Sequence, residues 1–422
     1  MDIFVTHVGK RLRYFRKNLR MTQEELSVGI CNRSYVSQIE KGNVIPSPEI
    51  LDQLAKRLQT DLKELWTESE SPIGFSEVEI QNALRHVVNR LEANDIEISR
   101  KWIFKLKGQQ LRTEDQCIYL WAKAELALHD QRFEEVEELL LESISLARDV
   151  DDPVSLVRSL QSLGDYYGMT RQAKKAIPFL SEALQLVNRF EIGGLLRISL
   201  LYTSAKMHGS LEEYYSAIEL LNQAVQLNDA YGTMYKSTSI YMGLAICHLH
   251  LHQHEQAEKY NLLALDVLKL VPDEKLIANT YNNLGILYRV TKCYEKSEEY
   301  LLKAIDILQK LDQKHWFNNA TNELAHLYRD MGYYQRAKGL CESIIHNCNN
   351  SHLLAEINLN YANILTDCEH YEQALYHLEQ AMQYFTAERS TQYVVRSYEV
   401  LLRISTHSQQ PEKIARLSLL HN

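Results

Sequence analysis

One pattern returns along this chain at a nearly constant step: a small or apolar pair, an aromatic three or four residues on, then a Tyr or Phe and a further small residue. Its equivalent points are Lys123, Leu163, Ser204, Leu244, Leu284, Leu324 and Tyr361, which lie 40, 41, 40, 40, 40 and 37 residues apart. A fixed period of that size specifies a solenoid, because one unit cannot bury its own apolar face and needs stacked neighbours to do so. Apolar residues recur at i, i+3, i+4 and i+7, and no long stretch alternates apolar with polar, so the expected class is all-α. Most of such a chain is binding surface.

The clearest unit is Tyr281-Asn282-Asn283-Leu284-Gly285-Ile286-Leu287-Tyr288, followed by Tyr294, Ser297, Leu301 and Ala304. The next gives Leu324-Ala325, Tyr328, Gly332, Tyr334, Ala337 and Cys341, and the one after it Tyr361-Ala362, Leu365, Tyr371, Ala374, Leu378 and Ala381. Earlier units carry Leu163-Gly164, Tyr167, Ala176, Leu180 and Ala183, then Ser204-Ala205, Tyr214, Ala217, Leu221 and Ala224. Small residues recur where two helix backbones must approach closely, and aromatics where a gap between neighbouring pairs must be filled. The pattern resembles the tetratricopeptide repeat. Seven units are visible, and weaker helix pairs at 77–107 and 391–420 cap the ends, for eight or nine in all.

The formal net charge of −9 hides an asymmetry. Residues 1–66 hold 11 Lys/Arg against 8 Asp/Glu, leaving 35 basic and 47 acidic residues for the remainder. A weakly basic head on an acidic body fits a DNA-binding part joined to a partner-binding part. The seven cysteines are scattered without a Cys-x-x-Cys pair, no signal region starts the chain and no 18-residue apolar run occurs, so a reduced, cytoplasmic protein without a membrane partner is expected.

In the head, 5–20 reads as an amphipathic helix with Val5, Val8, Leu12 and Phe15 on one side and six basic residues between Lys10 and Arg20. Thr22 is an N-cap with Glu25 completing a capping box, and Gly29 falls where the chain needs a positive φ. A third helix, Arg33–Lys41, a fourth from Pro46-Ser47-Pro48 through Leu58, and a closing segment 61–66 follow. Thr22-Gln23-Glu24-Glu25-Leu26, Ser37-Gln38-Ile39-Glu40-Lys41-Gly42 and Pro46-Ser47 resemble the Cro/repressor-like (XRE) helix-turn-helix class. That resemblance implies that Arg33–Lys41 enters the major groove, with Arg33, Ser34, Tyr35, Ser37 and Gln38 on the reading surface and Gln23 on a phosphate. Arg16 and Glu40 are expected to pair structurally. Residues 67–76 read as a hinge, which gives a domain plan of 1–66, 67–76 and 77–422.

A 40-residue unit exceeds the ordinary 34-residue repeat by about three residues per helix, or about 4.5 Å, and deepens the inner groove. Long repeats behind such a head resemble the quorum-sensing peptide receptors of Gram-positive bacteria, the Rap/Rgg/NprR/PlcR/PrgX group, and within it the neutral-protease regulators most. The resemblance implies an N-terminal XRE/Cro-like helix-turn-helix domain followed by a right-handed tetratricopeptide-repeat superhelix. It also implies a homo-oligomer, dimer or higher, that binds a re-imported signalling oligopeptide in its concave groove and double-stranded operator DNA through its heads. The alternative it carries is inhibition of a phosphorelay, by binding a sporulation response regulator in the peptide-free state.

Helix A of each unit would line the concave face. Asn279, Asn282 and Asn283 lie on one such helix, Asn318, Asn319 and Asn322 on the next, and Asn358, Asn360 and Asn363 on a third. Asn279/Asn319 and Asn282/Asn322 recur at 40 residues and would stack as a ladder. Asn is a poor helix-interior residue, while its carboxamide both donates and accepts, as the amide of an extended peptide requires. Read without a ligand, these are solvated polar residues. Nearer the amino end Arg158, Gln161, Asp165, Tyr202 and Lys206 face inward, where a charged peptide end could be held. His248 and His252 have a chelating i,i+4 spacing, but His248 and His254 occupy positions that other units fill with Tyr, so packing explains them and no metal is expected. No nucleophile–base set, phosphate-binding Gly loop or carboxylate pair is evident, so neither catalysis nor a cofactor is expected.

Overall fold

The Thr22 hydroxyl accepts from the Glu25 amide at 3.1 Å and the Glu25 carboxylate accepts from the Thr22 amide at 2.6 Å, closing the expected capping box. It opens a five-residue helix, Gln23–Ser27, within a computed structural model that describes residues 3–44, 46–60, 75–93, 95–388, 390–406 and 417. The chain divides into two compact units, Met1–Ser159 and Leu160–Asn422.

The first unit starts with helices Ile3–Asn18, Gln23–Ser27, Arg33–Glu40 and Pro48–Arg57. Asn32 caps the third through its side chain, and Lys41 forms its C-cap rather than its last turn. Gly29 has the expected positive φ of 71°. Leu12, Leu26, Val36, Ile39, Leu51 and Leu54 fill the core of this bundle. Gly9 lets the first and third helices touch, since a Cβ there would collide with the Ile39 carbonyl oxygen. Helices Glu77–Glu92 and Ile96–Leu106 form the expected first pair, and Thr113–His129 with Val136–Asp149 the second. The closing segment 61–66, most of the hinge and the chain beyond 406, Leu417 excepted, lie outside the described residues.

The second unit repeats one motif. Its A helices include Gly194–Ser210, Ser237–His250, Glu274–Val290, Lys314–Asp330 and Ser351–Asp367; its B helices are Ala173–Arg189, Tyr214–Tyr231, His254–Leu270, Tyr294–Lys310, Tyr334–Ile345 and Tyr371–Ala387. Close approach within a pair is real: a Cβ on Gly164 would lie 2.6 Å from Leu180, and one on Gly285 2.5 Å from Leu301. The next A helix then locks onto the B helix before it. Tyr288 donates its hydroxyl to Glu258 at 2.6 Å, and Tyr328 repeats this 40 residues on by donating to Glu298 at 2.7 Å. His248 substitutes for a tyrosine as expected, stacking on Tyr260 at 5.3 Å and bonding to Gln253 at 2.6 Å.

Each A-to-B turn closes on one residue in the left-handed region: Arg171, Glu212, His252, Lys292, Gly332 and Glu369, with φ between 58° and 79°. Only Gly332 is a glycine, so five of these six turns hold a side chain in a conformation that costs about 1 kcal/mol or more. The stacking on both sides holds them there. Among the described residues, no helix is long and apolar enough to cross a membrane.

Tyr288 is the test of this packing. Tyr288→Ala is expected to cost about 3–5 kcal/mol, for a large buried ring, and Tyr288→Phe about 1.5–3 kcal/mol, for a hydrogen bond to a carboxylate. Chemical denaturation of the two variants separates the ring from the hydroxyl.

Candidate functional site

Two surfaces collect the residues singled out in the sequence. On the head, Glu40 is 7% exposed and gathers three donors. Arg16 reaches its two oxygens at 2.6 and 2.9 Å, and Gln23 donates to it at 2.8 Å. This knot fastens the third helix to the first two, confirming the Arg16–Glu40 pair. Gln23, assigned by resemblance to a phosphate, is thus tied into the knot by its amide Nε2. On the third helix Arg33, Ser34 and Gln38 are exposed, Tyr35 and Ser37 half-buried, and none makes a side-chain hydrogen bond among the described residues. The helix is thus pinned through Glu40 while Arg33, Ser34 and Gln38 stay open.

The inner surface of the second unit is built from A-helix positions around Leu284 and its equivalents. Asn282 is 7% exposed and its Oδ1 is buried without a partner in the protein; the Nδ2 of Asn283 is buried without one too. Asn279 and Asn319 are half-exposed. Among the described residues Asn282 and Asn322 are not hydrogen-bonded; instead Asn360 donates to Asn322 Oδ1 at 2.9 Å. The step shrinks from 40 to 37 residues there, which brings a different asparagine alongside. Asn363 is used internally: it donates to the Leu359 carbonyl at 3.1 Å and accepts from Arg403 at 3.2 Å. Asn358 likewise donates to the Leu354 carbonyl at 2.9 Å.

The charged inner residues are also paired. In the first unit Arg158 meets Glu92 at 2.8 Å and lies over Trp121 at 5.2 Å. In the second, Lys206 meets Asp165 at 3.2 Å, and Gln161 donates to Ser199 at 2.7 Å. Burial acts against the charge of Asp165, but Lys206 and Lys236 outweigh it and hold the carboxyl below its usual range.

A further network went unread in the sequence. Arg289 bridges Glu323 at 3.3 Å and Asp330 at 3.1 Å, and Arg329 meets Asp367 at 2.6 Å. Arg289 and Arg329 are 40 residues apart, in phase with the asparagines, and that spacing was the available signal. His326 lies among them. Burial and the nearby Arg289, Arg329 and Arg396 push its pKa well below the ordinary histidine value. Among the described residues no group of three side chains is arranged to hold a metal.

Residues 12–65 match a helix-turn-helix family model and residues 236–310 a tetratricopeptide-repeat model, both of them binding modules rather than enzymes. No curated protein matches the sequence. Among solved structures, the apo form of the quorum sensor NprR from B. thuringiensis shares 16% identity, over 82% of this chain and 99% of that one, with a TM-score of 0.64. A Rap protein complexed with competence and sporulation factor gives 15%, 81%, 99% and 0.60, and NprR in complex with its cognate peptide NprX gives 16%, 81%, 98% and 0.59. The fold is that of these sensors, so the likeness to the group is borne out at the level of fold: a helix-turn-helix followed by tetratricopeptide-type helix pairs.

Two outcomes test the geometry. Glu40→Ala strands the buried Arg16 charge and is expected to destabilise the head by about 3–5 kcal/mol, with the repeats unaffected in hydrogen exchange. His326 is neutral when folded but takes a proton when unfolded, so it stabilises above the ordinary histidine pKa and that contribution is lost as pH falls below it. Melting His326→Gln on both sides of about pH 6.5 should give a shallower acid-side decline than wild type.

Proposed function

We propose that this chain is a cytoplasmic, peptide-responsive transcription regulator, with a DNA-binding head at 1–66, a hinge at 67–76 and a peptide-binding, self-associating repeat domain at 77–422. One observation carries the reading. Asn282 and Asn283 offer, side by side, a buried acceptor and a buried donor that the protein leaves unpaired. An unsatisfied buried polar group costs about 1–3 kcal/mol, and two adjacent ones of opposite sense are what the C=O and N–H of an extended peptide complete. Asn279 and Asn319, half-exposed on the same helices, extend the row, and Asn322 is its next member. The solved structures of the same fold that hold a peptide support the reading by analogy.

The head supports the other half. Its exposed polar face belongs to the helix that the helix-turn-helix class sends into the major groove, and base-edge contacts need free donors and acceptors. A peptide could switch DNA binding only by preferring one assembly state of the protein over another.

Asn282→Ala with Asn283→Ala should leave the melting temperature unchanged or higher, since two stranded groups disappear. Affinity for peptides that the wild type captures from a short-peptide pool should fall about tenfold or more, at 1.4 kcal/mol per decade. Wild-type affinity measured by calorimetry would move the ligand elsewhere. Separately, Ser37→Ala with Gln38→Ala should weaken binding to a duplex selected by the wild type by about 1–3 kcal/mol per lost base contact. Unchanged anisotropy titrations would remove both residues from the reading surface.

A further inference from the structure

Tyr202 carries two ammonium groups over one ring. Nζ of Lys206 lies 5.8 Å from its centroid and Nζ of Lys236 lies 5.4 Å from it. One carboxylate, Asp165, faces the pair, and both its oxygens are committed. Oδ1 accepts from Lys206 at 3.2 Å and Oδ2 from the Thr203 hydroxyl at 3.0 Å. Lys236 forms no ion pair among the described residues; it acts on Asp165 through charge alone and also lies over the ring of Tyr235, at 5.7 Å.

The placement of Lys236 is built rather than incidental. Helix Ser237–His250 has 14 residues, whereas Gly194–Ser210, Glu274–Val290 and Lys314–Asp330 have 17 each. Its first turn is opened at 234–236, and Lys236 stands there with a φ of 54°, unfavourable for any residue but glycine. Asn228, 4% exposed, holds the turn by donating to the Tyr235 carbonyl at 2.9 Å and to the Ser237 hydroxyl at 3.2 Å.

A ring face attracts cations without neutralising them. Two ammonium groups against one carboxylate leave a net positive charge, and with Lys206 exposed and Lys236 half-buried both can be reached by an anion. In the next two units the corresponding inner positions are Met242 and Ile246, the latter 41% exposed, and then Asn282 and Ile286, all uncharged. The cationic pair thus stands at one end of a stretch that is uncharged as far as Asn282 and Ile286, beyond which Arg289 and its carboxylate partners follow.

We propose that Lys206 and Lys236, seated over Tyr202, bind a carboxylate of the peptide and thereby fix the direction in which it runs. This rests on the peptide-receptor reading. The carboxylate comes either from the peptide's carboxyl terminus or from an acidic side chain. Both present the same charge and the same acceptor oxygens to the lysines.

The test uses the full-length protein and three short-peptide pools: free carboxyl termini without Asp or Glu, amidated termini without Asp or Glu, and amidated termini with them. Lys236→Met is the deciding variant, Lys292→Met, on an exposed turn, the control, and Lys206→Met is combined with Asp165→Asn so that no charge is stranded. For a terminal carboxylate, the wild type should capture the first pool about tenfold or more above the second, roughly one lost charge-assisted contact. Lys236→Met and the double variant should erase that difference. For a side-chain carboxylate, the third pool should be the one captured, with the same sensitivity to Lys236→Met. Equal capture of all three pools, unchanged in Lys236→Met, overturns the subsite while leaving the peptide reading intact. No capture of any pool by the folded wild type overturns both.

Discussion

Everything in the second unit follows from a helix pair having more apolar face than it can cover alone. The A helix must lie against its own B helix closely enough to exclude a Cβ at Gly164 and Gly285, and against the preceding B helix closely enough for Tyr288 to reach Glu258. Those two contacts leave the A helix no freedom to rotate. Its remaining stripe is then fixed, and Asn282, Ile286 and Arg289 fall on it in one unit as Asn322, His326 and Arg329 do in the next. The groove is a by-product of packing, furnished afterwards by whichever residues occupy that stripe.

The same constraint explains why polar residues on the stripe bond to residues about 40 positions away. Lys206 to Asp165, Arg289 to Asp330 and Arg329 to Asp367 are separated by 41, 41 and 38 positions. Neighbouring A helices lie side by side, so the sequence-distant residue is the near one in space. Each such pair also couples adjacent units, adding a directional contact to packing that is otherwise non-directional.

What the sequence disclosed was whatever depends on local spacing or on the period itself. The Thr22–Glu25 box, the φ of Gly29, the small residues at 164 and 285, and the substitution of His248 for a tyrosine all needed only that. Pairing across units was less accessible. The Asn322–Asn360 hydrogen bond spans the unit where the step drops to 37, and a strict 40-residue period does not point to it. Lys236 escaped notice because its position over Tyr202 goes with an opened helix start, and the first turn of Ser237–His250 has no composition that announces it. Arg158 was read as facing a ligand, but Glu92, 66 residues away, is its partner, and no periodic argument reaches that distance.

The shortened helix Tyr334–Ile345, with 12 residues against 17 in Tyr294–Lys310, is where the step drops to 37. In crystallographic language it is a dislocation in a one-dimensional lattice. A perfectly periodic row of amides would look the same to an extended chain at every translation by one unit, and a ligand could settle in several equivalent positions. A single phase slip removes that degeneracy: registers on either side of it are no longer interchangeable, and the row acquires an origin. Three missing residues, on a helix that forms no part of the inner stripe, thus turn a ruler with identical marks into one with a zero.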